Sequence, residues 1–282
     1  MSRSTGLVIH GGTGWQVDRR RRARIRRQLG NIYERAEAYL ASHSAMETAV
    51  FAVRQLEDDP LFNAGTGSML QEDGRARMSA SVMDGASRRF AAVLNIERVR
   101  NPVLIAQALL SGPDRVLDGA GAVQFARAQG FDPWDPVTAE RRRQWVTRHR
   151  DRSSIGTVGA VALDREGRLA AATSTGGKGF ERVGRVSDSG LPVGNYADER
   201  VAISCTGIGE DIIEEGLAVR LAQRVADGFP LARAVAAASR ALRVRRRSAG
   251  LIGLDRSGRV VWMTTLPVLF AMGRVGGRRI ML

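Results

Sequence analysis

The sequence has little of several residues that define common classes of protein. Its 282 residues include one cysteine, Cys205, so no intrachain disulfide can form, and the chain is compatible with a reducing compartment. The three histidines, His10, His43 and His149, lie far apart and give no metal-ligand spacing. No run reaches the roughly 18 apolar residues that a spanning helix needs. These absences exclude a disulfide framework, a zinc-finger-like site and a transmembrane helix.

Lysine is also nearly absent: Lys178 is the single lysine, beside 42 arginines. The net charge of the chain is +14. An arginine-rich surface is typical of proteins that bind nucleic acids or anionic membranes. The skew runs through every segment, however, which favours codon usage in a GC-rich genome. The excess charge still predicts weak attraction of polyanions. The first residues, MSRSTGLVIHGGTGW, lack the apolar stretch of a signal peptide, which predicts a cytoplasmic protein.

Helical periodicity covers residues 17–58 and is broken near Ser44, which can cap a second helix with Glu47 as in a capping box. The run DRRRRARIRRQ is predicted to be the solvated face of the first helix, with a nucleic-acid-binding arm as the alternative. Further helices are predicted over 102–111, 114–129, 210–227 and 230–245. The apolar run GLVIHGG predicts a first strand that ends in a glycine turn.

Three segments carry hairpin signals, namely QEDGRARMSASVMDG, GAVALDREGRLAAATSTGG and GLIGLDRSGRVVWMTT. The last two share the turn pattern D-R-x-G-R. Strands joined by hairpins predict antiparallel sheets covered by helices. Residues 131–154, which are rich in arginine and weak in apolar pattern, predict an exposed, mobile segment that ends at Gly156-Thr157.

Threonine is the candidate nucleophile because the usual catalytic motifs are missing. There is no G-x-S-x-G elbow, no His-x-x-x-His pattern and no P-loop. A threonine hydroxyl needs a base, and the base that requires no second residue is the α-amine of the same threonine, with a reference pKa near 7.7–8.0. That amine becomes free only if the chain is cut before Thr157. The alternative is that Thr157 is an ordinary strand residue.

The chain resembles the plant-type (type 2) asparaginases and isoaspartyl peptidases, which are N-terminal-nucleophile hydrolases. The resemblance is carried by VIHGGTG, LEDDPLFNAGTGSML, VMDG, RNPVLIAQALL, GTVGAVALDREGRLAAATSTGG, GRVSDSGLPVGNYAD and CTGIGE. It implies an α+β fold, a four-layer αββα sandwich formed by one domain. It also implies self-cleavage between Gly156 and Thr157 into 1–156 and 157–282. The implied reactions are hydrolysis of L-asparagine and of β-aspartyl dipeptides.

The resemblance also implies roles for individual residues. Thr157 matches the nucleophile, Thr175 the threonine that hydrogen-bonds it, and Asn63 a neighbouring asparagine. Thr206 and the Gly207 amide match the oxyanion hole. Arg185 matches the arginine for the substrate α-carboxylate, Asp188 the aspartate for the α-amino group, and Gly209 shapes that pocket. Arg185 and Asp188 lie three residues apart and can supply the cation and the anion that an amino-acid head group needs. The alternative for this pair is a surface ion pair, and for Asn63 a turn residue.

In the family a loop matching 56–66 often binds sodium through backbone carbonyls, and the chain keeps its length. A structural Na⁺ is therefore expected at Leu56, Glu57, Asp59, Phe62, Ala64 and Thr66, with no catalytic cofactor. The resemblance implies a dimer of cleaved pairs. The chain differs from the usual pattern at Lys178, where methionine is common, and at 264–273, which bears on the substrate side chain. Alternatives are a glycosylasparaginase-like enzyme, another acyl-amino-acid amidohydrolase, and an inactive polyanion-binding protein.

Overall fold

The structure is a computed structural model of the intact chain, and it describes residues 5–14, 17–147, 156–275 and 278–281. The strands in these ranges are β1 (Gly6–Gly14), β2 (Met78–Asp84), β3 (Arg89–Ile96), β4 (Val116–Asp118), β5 (Val158–Leu163), β6 (Leu169–Thr175), β7 (Asn195–Ala197), β8 (Val201–Gly207), β9 (Ala249–Asp255), β10 (Val260–Thr264), β11 (Val268–Val275) and β12 (Arg278–Met281). The helices are α1 (Arg19–Leu40), α2 (Ala45–Asp58), α3 (Pro102–Leu109), α4 (Gly119–Ala128), α5 (Ala139–Val146), α6 (Gly209–Glu215), α7 (Leu217–Ala226) and α8 (Leu231–Val244).

Two sheets pack face to face between two layers of helices. The larger sheet has the order β12-β11-β1-β5-β6-β2-β3-β4, and the smaller has the order β10-β9-β8-β7. Helices α1 to α4 cover the outer face of the larger sheet, and α7 and α8 cover the smaller one. Apolar side chains between the two sheets include Val161, Ala171 and Ile252, all fully buried. The predicted αββα sandwich is confirmed.

The central strands β5 and β6 are buried along their whole length, because helices cover one face and the second sheet covers the other. They pair antiparallel, with Val158 opposite Ser174. The predicted hairpin between them is confirmed: Asp164 and Arg168 close the turn, and Gly167 adopts a φ of 78° that an L side chain rarely takes. This hairpin fixes Thr157 at the open end of β5.

Other predictions that depend only on residues close together in the sequence are also confirmed. Ser44 and Glu47 form the predicted capping box of α2. The hairpin of β9 and β10 turns at Asp255–Arg259, with Gly258 at a φ of 82°. Both His10 and Cys205 are fully buried. Ile25 and Leu29 bury the inner face of α1 while most of its arginines face solvent.

Five predictions were wrong in part. Strand β1 does not end at the glycine pair but continues to Gly14, with a bulge between His10 and Gly12. Residues 116–118 form β4, which pairs parallel to β3, so helix α4 begins only at Gly119. The segment 210–227 is two helices, because Gly216 takes a left-handed conformation between them. Within 131–147 the chain forms α5, and Arg141 there is buried with its Nε donating to the Gly67 carbonyl at 2.7 Å. The Asp73-Gly74 turn exists, but β2 pairs with β3 and β6 rather than across that turn. The rest of the predicted mobile segment, 148–155, lies outside the described residues.

Candidate active site

A cavity of about 380 Å³ lies at the end of the two sheets where β5 begins and β6 and β8 end. Its lining includes the predicted residues Asn63, Gly156, Thr157, Thr175, Arg185, Gly207 and Gly209. Thr206 is fully buried, beside Gly207, and Asp188 is buried behind Arg185. The fold therefore brings residues from four separate segments of the sequence to one site.

Thr157 stands directly before β5 and is 4% exposed. Its Oγ1 hydrogen-bonds Ser189 Oγ at 3.1 Å, a contact that sequence reasoning missed. Thr175 occupies the adjacent position on β6, and its Oγ1 accepts from the Gly177 amide at 3.2 Å. No hydrogen bond joins Thr175 to Thr157 within the described ranges, so the tuning role predicted for Thr175 stays a prediction.

Thr206 and Gly207 end strand β8 beside Gly156. Within the described part of the chain, the Thr206 hydroxyl is buried and has no hydrogen-bond partner. It lies 3.7 Å from the place that a Cβ on Gly156 would occupy. A buried, unsatisfied donor is costly unless a ligand or a reacting group uses it. This geometry suits the predicted oxyanion role.

Arg185 and Asp188 meet at Gly209. A Cβ on Gly209 would lie 2.7 Å from Arg185 Nη2 and 3.0 Å from Asp188 Oδ1, so a larger residue there would displace the Arg185 guanidinium. Asp188 Oδ1 accepts from the Ser187 hydroxyl at 3.0 Å, and Oδ2 has no partner in the ranges described. Burial raises the pKa of Asp188 to about 6. A cation and an anion thus stand together, as an amino-acid head group would require.

Arg185 is already ion-paired, which the sequence did not reveal. Its Nε and Nη2 donate to the two carboxylate oxygens of Glu210 at 2.9 and 2.8 Å. Lys178 Nζ donates to the same carboxylate at 3.0 Å. The hydrogen bond from Arg185 is the main reason that the pKa of Glu210 falls to about 2. A substrate carboxylate that used Arg185 in this way would have to replace Glu210.

Asn63 holds the loop that follows β6. Its Nδ2 donates to the Gly177 carbonyl at 2.6 Å, and its Oδ1 accepts from the Met69 amide at 2.9 Å. Gly176 fits against Asn63 and Ser68, with room for no side chain. Asn63 therefore shapes the cavity wall instead of serving only as a turn residue.

A buried polar network links the two sheets below Thr157. His10 Nε2 on β1 hydrogen-bonds Ser204 Oγ on β8 at 2.8 Å, and Thr173 Oγ1 on β6 bonds the same hydroxyl at 2.7 Å. Burial lowers the pKa of His10 to about 3, so the imidazole is neutral. Gly159 lies against this pair, since a Cβ there would be 2.0 Å from Ser204 Oγ. The network fixes β5 and its threonine between the sheets.

Comparison with known proteins identifies the family. A family model described as Asparaginase matches residues 3–279. The chain belongs to the asparaginase family. It is 42% identical over 288 residues to an isoaspartyl peptidase/L-asparaginase of Synechocystis sp., an alignment that covers 96% of this chain and 88% of the relative. A Nostoc sp. protein of the same name is 42% identical, with 94% and 90% covered. A plant-type L-asparaginase of Pyrococcus furiosus is 36% identical, with 90% and 91% covered.

The described residues contain no cluster of three or more histidine, cysteine, aspartate or glutamate side chains able to hold a metal ion. Among the helices described, none combines the length and the apolar character needed to cross a bilayer.

Proposed function

We propose that this chain hydrolyses L-asparagine to L-aspartate and ammonia and also cleaves β-aspartyl dipeptides, with Thr157 as nucleophile. The observation that carries the proposal is that Thr157 and Arg185 line one cavity of about 380 Å³, with Thr206 and Asp188 buried directly behind its wall. A nucleophile, an oxyanion donor and a head-group pair are the parts that amide hydrolysis of an amino-acid substrate requires. The names of the relatives agree with this assignment.

The nucleophile becomes competent after cleavage of the Gly156–Thr157 bond, which divides the chain into 1–156 and 157–282. The freed α-amine of Thr157 takes the proton from its own hydroxyl, and Oγ1 attacks the side-chain carbonyl of the substrate. The Thr206 hydroxyl and the Gly207 amide stabilise the oxyanion. The amine then protonates the departing ammonia or peptide amine, and water hydrolyses the ester on Thr157.

Substrate orientation follows from the charges of the cavity. The α-carboxylate takes the place of Glu210 on Arg185 and makes the same bidentate contact. The α-ammonium group faces Asp188 Oδ1, which lies beside Gly209 in the cavity wall. Lys178 and Phe180 also line the cavity, and Lys178 Nζ contacts the Glu210 carboxylate that the substrate would displace.

The remaining expectations are proposals of the same kind. The loop 56–66 holds a structural Na⁺ through the six carbonyls expected from the sequence. The carbonyls of Leu56, Glu57 and Asp59 already accept the amides of Asp59, Thr66 and Phe62, so each would bind the ion through its second lone pair. That ion supports loop geometry and supplies no chemistry. Two cleaved pairs form a dimer, the protein works in the cytoplasm, and its positive charge attracts polyanions weakly.

The experiment is a substrate panel on the cleaved protein. We expect ammonia release from L-asparagine and leucine release from β-Asp-Leu, and neither from a Thr157→Ala variant prepared in parallel. N-acetylglucosaminyl-asparagine tests the glycosylasparaginase alternative. A higher kcat/KM on that substrate than on the other two would replace the proposal with that alternative. Absence of any hydrolysis by fully cleaved protein would reject the proposed function.

A further inference from the structure

The intact chain needs a base for its own cleavage, because the α-nitrogen of Thr157 is still part of the peptide bond. An amide nitrogen does not accept the hydroxyl proton, so the base used later in catalysis is missing at this step. His10 is poorly suited to that role, because its Nε2 is engaged with Ser204, burial lowers its pKa to about 3, and its interaction with Thr157 is with the backbone of that residue. The Thr157 hydroxyl instead contacts a second hydroxyl, that of Ser189.

Three hydroxyls form a row that ends on a buried carboxylate. Thr157 Oγ1 and Ser189 Oγ are 3.1 Å apart, and Ser189 Oγ and Ser187 Oγ are 3.5 Å apart. Ser187 Oγ donates to Asp188 Oδ1 at 3.0 Å. If each hydroxyl donates to the next, every bond points in one direction, from Thr157 to Asp188. Such a row can move a proton along its length without moving a heavy atom far.

From these contacts we infer that Ser189 and Ser187 relay the proton of the Thr157 hydroxyl to Asp188 during self-cleavage of the intact chain. This inference rests on the proposed function, because it requires that the Gly156–Thr157 bond is cut. It assigns to Ser187, Ser189 and Asp188 a step that precedes substrate binding. Ser189 is the residue in contact with the reacting hydroxyl, and Ser187 acts through it.

The step balances as an acyl shift followed by hydrolysis. The Thr157 Oγ–Gly156 carbonyl-carbon bond forms as the hydroxyl proton passes to Ser189, the Ser189 proton to Ser187 and the Ser187 proton to Asp188. The Thr206 hydroxyl, close to Gly156, can donate to the oxygen that gains charge. The bond from the Gly156 carbonyl carbon to the Thr157 nitrogen then breaks, and the proton returns along the row to complete the amine. One water hydrolyses the resulting ester to the Gly156 carboxyl group and the Thr157 hydroxyl.

The surroundings of Asp188 suit a temporary base. The charged or titratable groups that face it are Arg185, Glu210 on α6 and Cys205 on β8. Burial outweighs the attraction of Arg185, so the pKa of Asp188 rises to about 6. A carboxylate of that pKa is mostly ionised at pH 7 and accepts a proton more readily than an ordinary aspartate does. Gly194 and Gly209 cover the carboxylate closely, which keeps bulk water away.

The test is the rate of cleavage of the full chain made by cell-free synthesis, followed by gel electrophoresis at pH values from 5 to 8. The variants are Ser187→Ala, which cuts the row but keeps the Thr157–Ser189 contact, and Ser187→Thr, which keeps a hydroxyl. The matched control is Ser81→Ala, which removes a buried hydroxyl that bonds the Ser189 carbonyl at 2.6 Å. General-base catalysis contributes about 10²–10⁴-fold, which sets the scale of the effect.

We expect the wild-type cleavage rate to rise with pH as Asp188 ionises, with a midpoint near pH 6. Ser187→Ala should cleave about 100-fold more slowly and lose that midpoint, whereas Ser187→Thr and Ser81→Ala should stay within a few-fold of wild type. Cleavage of Ser187→Ala at the wild-type rate and with the wild-type pH profile would overturn the relay alone. Equal slowing in Ser81→Ala would also overturn the relay, because the slower cleavage would then come from a displaced Ser189 and not from a broken row of hydroxyls. A wild-type chain that never cleaves would reject the proposed function together with the relay.

Discussion

Glu210 is bound to the guanidinium of Arg185, which the substrate carboxylate is proposed to use. Removing the negative charge of Glu210 should therefore change the affinity for substrate. In Glu210→Gln the bidentate contact with Arg185 loses its ionic character, while the side-chain shape is almost kept. Substrate would then bind Arg185 without first displacing a carboxylate. We expect KM for L-asparagine to fall and kcat to stay nearly constant, since the competition affects the bound substrate and the transition state equally.

The size of the effect follows from the exposure of the two partners. Arg185 is 13% exposed and Glu210 is 45% exposed, so solvent screens the carboxylate strongly. The lowered pKa of Glu210 therefore overstates the free energy of the pair. A half-exposed, bidentate pair contributes about 1 kcal/mol, between the values for open surface pairs and for buried charged hydrogen bonds. The corresponding fall in KM is about 5-fold.

The assay is steady-state ammonia release by cleaved enzyme, with Glu214→Gln as the control. Glu214 lies on the same helix and pairs with Arg247 away from the cavity, so its variant tests the loss of one negative charge on α6. The control should leave KM within about 2-fold of wild type. A KM of Glu210→Gln that is unchanged or higher would refute the competition and would mean that Glu210 instead holds Arg185 in place for the substrate.

Three further predictions follow from the site, and the two on stability use an uncleaved Thr157→Ala background. Gly159→Ala should lower the free energy of unfolding by about 2–4 kcal/mol in a urea titration, because the added Cβ would lie 2.0 Å from Ser204 Oγ and 2.5 Å from His10 Nε2. The control is Gly121→Ala, which has open space around it and should not lower the free energy of unfolding in the same titration. The pKa of His10 is lowered to about 3 from 6.5, so at this residue the unfolded chain binds more protons than the folded chain. The stability difference between the background protein and its His10→Asn variant should therefore fall by about 1 kcal/mol from pH 7 to 5.5, and a His10→Asn variant with the same pH slope would contradict this. Lys178 is half-exposed and lines the cavity, so its positive charge should attract an acidic substrate and repel a basic one. Wild type should therefore favour β-Asp-Glu over β-Asp-Lys by about 2- to 5-fold in kcat/KM, and a Lys178→Met variant that keeps this ratio would contradict the prediction.

The parts of the fold that could be predicted from the sequence are those fixed by neighbouring residues. The capping box of Ser44 and Glu47 and the two D-R-x-G-R turns need only residues a few positions apart, and all three are present. Strand β4 could not be predicted, because its three residues are a strand only through parallel pairing with β3. The residues around β4 carry no pattern that indicates this pairing. Gly216 was missed for a related reason, since the apolar spacing continues across it from α6 into α7.

In the candidate site, too, the residues could be predicted from local motifs, but their contacts could not. Motifs led to Thr157, Thr206 and Arg185, and the fold brings them to one cavity or its buried wall. The contacts of those residues could not be predicted, because they join distant segments. Glu210 reaches Arg185 across 25 positions, and Ser189 reaches Thr157 across 32. Both partners lie inside quoted motifs, CTGIGE and GRVSDSG, but only the folded chain shows what their side chains touch.

The proposed chemistry requires that Thr157 becomes an amino terminus. The measurement is the intact mass of purified protein over several days, beside a Thr157→Ala control. We expect two fragments that break between Gly156 and Thr157 in the wild type and a single chain of 30.5 kDa in the control. A wild-type protein that hydrolyses asparagine while it stays one uncleaved chain would contradict the proposal, because Thr157 would then lack the amine on which the proposed chemistry depends.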